Sequence, residues 1–179
     1  PFAKPMEKSH SPAAPPPAAP AANPTGAPVQ GSSPIAMTAE SGLRAIIATD
    51  RSFDIGAFLN GSQAAYKMVL EAYWAGDKET LADLTDDAVY ASFVEAIDAR
   101  IAAGETLENR LIRIEEARII GAHMDGHEAQ ISVRFVSDVA ALVRNAEGAI
   151  IAGSMTDAAE EIDAWTFARD VRNSDPNWR

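Results

Sequence analysis

From position 38 onward the chain carries two hydrophobic rhythms in succession, and the change between them predicts its architecture. Leu43, Ile46 and Ile47 lie on one side of a short helix that Thr38 is placed to cap and that ends before Asp50. Ile55, Phe58, Leu59, Ser62, Tyr66, Val69, Leu70 and Tyr73 then recur about every 3.6 residues. They predict a long amphipathic helix with Asp54 as N-cap, weakened at Gly61 and stopped by Gly76. Asp77 is placed to cap a brief helix holding Leu81 and Leu84. Thr85 is the expected cap of a further helix with the stripe Val89, Phe93, Ile97 and Ile101, its first turn favoured by Asp86 and Asp87 and its end set by Gly104.

Beyond Leu107 the period falls to two. Ile112 and Ile114 share a face, and Ala117 and Ile119 continue one residue out of step, which predicts a β-bulge near Glu115 and Glu116. Asp125-Gly126 reads as a hairpin turn, with His123 opposite Glu128 and His127 opposite Met124. The returning strand places Ile131, Val133 and Phe135 inward and Gln130, Ser132 and Arg134 outward. Asn145 to Gly148 marks another turn, Ile150 to Ala158 reads as a loop or irregular edge, and a third strand spans about Glu160 to Val171. An SDPN turn then leads to the start of a fourth strand at Trp178 and Arg179. Helices followed by a meander predict an α+β domain with its helices on one face of an antiparallel sheet.

The first 36 residues follow neither rhythm. They hold most of the 11 prolines, in runs such as SPAAPPPAAPAANP, and read as a disordered, semi-rigid polyproline tether. Residues 37–52 read as a short helix and linker, and residues 53–179 as the domain. The chain begins without Met and contains no spanning stretch, so any membrane anchor is expected upstream of it.

The formal net charge is −11, which argues against nucleic acid as a partner, since such binding rests on Lys and Arg at phosphates. From Asp54 to Glu105 ten acidic residues face three basic ones, a balance of minus seven. Such a face favours a protein partner over an anionic lipid surface. Arg110, Arg113, Arg118 and Arg134 lie on or near the outer face of the predicted sheet. They would form the rim of a lipid site or pair with Glu108, Glu115, Glu116 and Glu128, and ion pairing is the simpler reading.

Residues for covalent or metal chemistry are sparse. With zero cysteines, disulfides and thiolate zinc sites are excluded. His123 and His127 flank a turn and would point to opposite faces, so they read as solvated rather than as metal ligands. No nucleophile elbow, P-loop or dinucleotide fingerprint occurs, and no cofactor is expected.

Three blocks carry a family resemblance. FDIGAFLNGSQAAYKMVLEAYWAGD (53–77), LADLTDDAVYASFVEAIDARIAAGE (81–105) and EIDAWTFARDVRNSDPNW (161–178) together resemble the Tim44-like domain, in particular its bacterial members. The resemblance implies a cystatin-like or nuclear-transport-factor-two-like cone, with a curved four-stranded sheet sheltering the helices. It implies association with an inner membrane, the domain lying on the cytoplasmic side. The implied role is a non-enzymatic adaptor that docks a membrane protein or complex, linked to protein translocation, with binding of lipid or an apolar ligand as the alternative. Tyr66, Trp74 and Tyr90 are candidates for a partner surface, and Phe93, Ile97, Ile112, Ile114, Val133, Phe135, Trp165 and Phe167 for an apolar pocket. Because some relatives of the general fold are isomerases or hydrolases with an Asp base in the cone, Asp163 and Glu116 are the acids to locate. A raised carboxylate in a sizeable pocket would favour catalysis, and a filled interior would favour a binding scaffold.

Overall fold

The computed structural model describes residues 33–173 and 177–179; most of the proline-rich segment and positions 174–176 of the SDPN turn lie outside the described residues. A 3-10 turn at Met37–Ala39 leads into α1 (Glu40–Thr49), followed by α2 (Ile55–Ala75), α3 (Lys78–Leu84) and α4 (Asp87–Ala102). The strands β1 (Thr106–Asp125), β2 (Glu128–Arg144) and β3 (Ile150–Asp170) then form an antiparallel meander with β2 in the centre.

Local chemistry sets the helix starts. The Asp54 carboxylate accepts from Ala57 N at 2.6 Å, and that of Asp77 accepts from Thr80 N at 3.0 Å, as their positions predict. Two expected caps are corrected. Asp86, not Thr85, caps α4, accepting from Val89 N at 2.8 Å while the Thr85 hydroxyl donates back to Leu81 O. Thr38 caps nothing, because its hydroxyl is spent on Ile120 O in β1. Gly76 ends α2 at φ 74°, a left-handed position that favours glycine.

Among the described residues the sheet has three strands and is not strongly curled, which corrects the expected four-stranded cone. Residues 177–179 contribute one reciprocal pair, Arg179 N to Ala168 O at 3.1 Å and Ala168 N to Arg179 O at 2.7 Å. One such pair does not make a strand. β1 carries three register shifts, at Leu111/Arg113, Ile114/Glu116 and Ile119/Gly121. The middle one is the predicted bulge. The hairpin register is also corrected: Asp125 pairs with Glu128, so Gly126 and His127 form the turn and His123 faces Gln130. Gly126, at φ 57°, takes the first turn position, which moves His127 out of the ladder. The stretch expected to be a loop belongs to β3, with Met155–Ala158 bulging opposite Ala140.

Alternation along β2 builds the core. Ala129, Ile131, Val133 and Phe135 face inward and pack under Leu43, Ile46, Phe58, Tyr66 and Leu70. A second cluster joins α2, α3 and α4 through Val69, Tyr73, Leu81, Phe93 and Ile97. Residues 34–36 lie along the outer edge of β1, with Ile119 N donating to Pro34 O and Ala36 N donating to Ile119 O, both at 2.8 Å. Gly42 lets α1 sit directly on β1, because a side-chain carbon there would collide with the Ala122 carbonyl. Gly42→Ala is therefore expected to destabilise the domain by about 1–3 kcal/mol in urea unfolding. A loss within experimental error would mean that α1 is not held against β1.

Candidate binding groove and inner polar cluster

Tyr66 sits at the centre of α2 and is fully buried, so it is withdrawn from the expected partner surface. Its ring stacks on Phe135 at 4.3 Å and meets the edge of Trp165 at 4.9 Å. Its hydroxyl donates to Asp163 Oδ2 at 2.6 Å and lies 3.0 Å from Ser137 Oγ, which is also buried. Burial, and then the hydrogen bond to Asp163, raises the phenol well above its ordinary range. Glu161 pairs with Ser137 across the strands, two residues from Asp163 on the same face. Burial and then the charge of Asp163 hold its carboxyl above the usual range.

This cluster answers the question of a catalytic acid in the cone. Asp163 lies on the inner face, opposite Phe135, whereas Glu116 lies on the outer face, opposite Val136, and bonds Arg134 there. The two acids are thus on opposite sides of the sheet. Asp163, partly exposed, accepts from the Tyr66 hydroxyl, and Phe135 and Trp165 pack against the Tyr66 ring and each other.

The residues expected to line an apolar pocket instead form packed core. Phe93 and Ile97 belong to the helical cluster, Val133, Phe135 and Phe167 to the sheet cluster, and Ile114 packs against the latter. Trp165 touches both clusters, and Ile112, 46% exposed, belongs to neither. Trp74 and Tyr90 are half-buried and pack against the helical cluster, Trp74 also reaching the sheet cluster. With the Asn109 amide oxygen turned toward it, the Trp74 Nε1 donates at 3.1 Å.

The open space lies elsewhere. A groove of about 630 Å³ runs along α2 past Ala57, Gly61, Ala65 and Met68, with Leu84 at one side and Phe53, Phe58, Phe167 and Trp178 as an aromatic wall. Trp178 stands 4.9 Å from Phe58 and 5.8 Å from Phe53, ring to ring. At one end Arg169 Nη1 bonds Asp50 Oδ2 at 3.1 Å, with both side chains largely buried, tying the end of α1 to β3. Only Phe167 of the predicted pocket lines this groove. Its sequence signal was Gly61: the helix tolerates glycine there without a left-handed φ, and a side-chain carbon would meet nothing within 4 Å.

On the outer face, ion pairing accounts for most of the predicted arginines. Arg113 bonds Asp138 at 2.8 Å and also Glu115, and Arg134 bonds Glu116 at 2.8 Å. Arg110 and Arg118 make no ion pair among the described residues. His123 and His127 are both exposed, and no group of three metal-ligating side chains occurs among the described residues.

These features define a helix-on-sheet α+β domain with a filled interior and an open apolar groove. The chain belongs to the Tim44-like domain family, whose model matches residues 39–179. The family is membrane-associated. No curated protein matches the chain. Among solved structures it is similar to the intermembrane space region of the chloroplast protein ARC6, with 9% identity over 61% of this chain and 81% of that one, at a TM-score of 0.39. No helix among the described residues is long and apolar enough to cross a membrane.

Two outcomes follow from the inner cluster. Tyr66→Phe leaves the buried Ser137 hydroxyl without its partner and is expected to cost about 1–3 kcal/mol in chemical denaturation. Glu161 holds its proton more tightly folded than unfolded, so its contribution is fully present below the ordinary carboxylate range. That contribution is lost as pH rises through the raised range, and because Glu161 remains solvent-exposed the slope is shallow. Glu161→Gln should abolish this slope in melting temperatures measured across mildly acidic pH. An unchanged slope would assign it to other carboxylates.

Proposed function

We propose that this chain is a non-enzymatic, tethered adaptor domain that docks a membrane protein or membrane-bound complex, in a role linked to protein translocation. Family membership supports a membrane-associated setting. The observation that carries the docking role is the groove along α2, which is apolar, walled by aromatic rings and open to solvent, while the space between helices and sheet is filled. Asp163 is engaged by the buried Tyr66 hydroxyl, which supports a structural role for it and favours binding over catalysis.

Gly61 strengthens the reading. Glycine in mid-helix costs about 1 kcal/mol relative to alanine, and neither its backbone angle nor internal packing calls for it here. What it does is keep the groove wall low. The proline-rich segment before Ser33 would act as a spacer from an upstream anchor, holding the domain near its partner so that modest affinity suffices. On this reading the domain lies on the cytoplasmic side of an inner membrane.

A second reading, an apolar ligand or lipid chain in the same groove, is favoured by its volume of about 630 Å³, within the range of small-molecule sites. The deciding experiment is affinity capture from lightly cross-linked native membranes, with the isolated segment 1–36 as control, using the unaltered chain and Gly61→Leu. The leucine should fill the groove, leave the melting temperature unchanged or higher, and cut recovery of a specific membrane protein at least about tenfold. Recovery of that protein undiminished would remove the groove from the docking surface. Recovery of lipid alone would replace the adaptor reading with the ligand-binding one.

A further inference from the structure

The face of the sheet turned away from the helices carries an arrangement that ion pairing does not explain. Arg118 and Arg134 lie directly opposite each other on β1 and β2. Like charges in that relation repel. One carboxylate, Glu116, sits on the same face beside them and bonds Arg134 at 2.8 Å. Arg118 is left without an ion pair among the described residues, and its Nε is buried with no hydrogen-bond partner. The Arg118 side chain as a whole stays partly exposed, so an acceptor from outside the domain can supply the counter-charge it lacks.

The neighbouring positions are aliphatic. Val136 pairs with Glu116 on one side and with Ile162 on the other, and Ile162 is 57% exposed. Ala164, opposite Arg134, is also exposed. A guanidinium in want of an anion, of the residue type enriched at protein interfaces, therefore stands beside a small apolar patch. We infer that the outer sheet face around Arg118 and Ile162 is a second docking surface, which takes a protein partner presenting a carboxylate side chain flanked by aliphatic ones.

Charge selects that occupant over an anionic membrane. A lipid surface is a plane of negative charge and needs several free cations, whereas Arg113, Arg134 and Arg144 on this sheet are already paired to Asp138, Glu116 and Glu108. The whole chain, at a net charge of −11, is repelled by such a plane. A single carboxylate on an otherwise uncharged protein patch meets no such opposition.

The test places the photo-cross-linker p-benzoylphenylalanine in the full chain, in place of Ile162 for the outer face or of Met68 for the groove, in native membranes. A protein contact at the Ile162 site is expected, mapping beside an Asp or Glu of the partner. Its yield should fall at least about tenfold with Arg118→Glu and recover when the mapped acid is changed to Arg. Arg118→Gln serves as the milder variant; removing one of two opposed like charges, it should leave the melting temperature unchanged or higher while lowering the yield. A cross-link to lipid, a protein contact indifferent to Arg118, or no cross-link at the Ile162 site overturns the inference. Protein captured at the Met68 site alone overturns it too, yet leaves the groove reading of the adaptor standing.

Discussion

The stacking of Tyr66 on Phe135, with the phenol hydroxyl tied to both Ser137 and Asp163, fixes α2 at one height and one rotation on the sheet. An apolar contact alone would allow the helix to slide by a residue or rotate by part of a turn at little cost. The hydroxyl forbids this, because moving it strands a buried serine and separates a phenol from a carboxylate. With α2 held, Phe58 meets Phe167 near the start of the helix, and Trp74 reaches Asn109 near its end. The groove wall and the second helical cluster are both consequences of that placement.

Filling the interior moves binding capacity to the surfaces, and the surfaces differ. From Asp54 to Glu105 the chain is strongly acidic, and these residues form the helical layer from the N-cap of α2 to the end of α4. The opposite face of the sheet gathers Arg110, Arg113, Arg118 and Arg134 among a similar number of acids. The groove is the stretch where alanine, glycine, methionine and aromatic rings form a largely apolar floor and wall, with Asp54, Asp83, Arg169 and Arg179 also among its lining. A partner reaching it gains from apolar burial, at about 25 cal/mol for each Å² covered, and is not opposed by the surrounding charge unless it is itself acidic.

Much of this was legible because it is local. The Asp54 and Asp77 caps, the stripe from Phe58 to Tyr73 and the inward set Ile131, Val133 and Phe135 each follow from side chains within a turn or a strand of one another. The misread positions depend on partners far along the chain. Thr38 looks like a cap until Ile120 offers it a carbonyl, 82 positions on. The bulges beside Ile112 and Ile120 fall at the adjacent apolar pairs Leu111-Ile112 and Ile119-Ile120, but which residue of each pair leaves the ladder is set by the pairing of β1 with β2. The hairpin turned on whether Asp125 or Gly126 begins the turn, and ladder pairing with Glu128 chose Gly126. Tyr66 counts as a surface candidate in the sequence because a helix stripe says which residues face inward, not how deeply a phenol can enter once Asp163 accepts its hydrogen bond and Ser137 bonds its oxygen. Gly61 marked the helix side of the groove, but its aromatic wall was illegible for a related reason: Phe53, Phe167 and Trp178 come together from three distant segments.

The point at which the N-terminal segment joins the domain bears on how these surfaces can be used. Residues 34–36 are bonded to Ile119 on the free edge of β1, while Phe167 and Arg169, which line the groove, belong to β3. Both β1 and β2 lie between them, so attachment and groove are separated by three strand spacings, roughly 14 Å. α1 bridges most of that distance, beginning where Gly42 touches β1 and ending where Asp50 meets Arg169. A partner seated in the groove would therefore not displace residues 34–36, and a load on the N-terminal segment would fall first on the Pro34–Ile119 and Ala36–Ile119 bonds rather than on the groove. For a domain held by a spacer this separation matters. Local concentration raises occupancy only when tether and partner can be engaged at once, and the geometry here permits both.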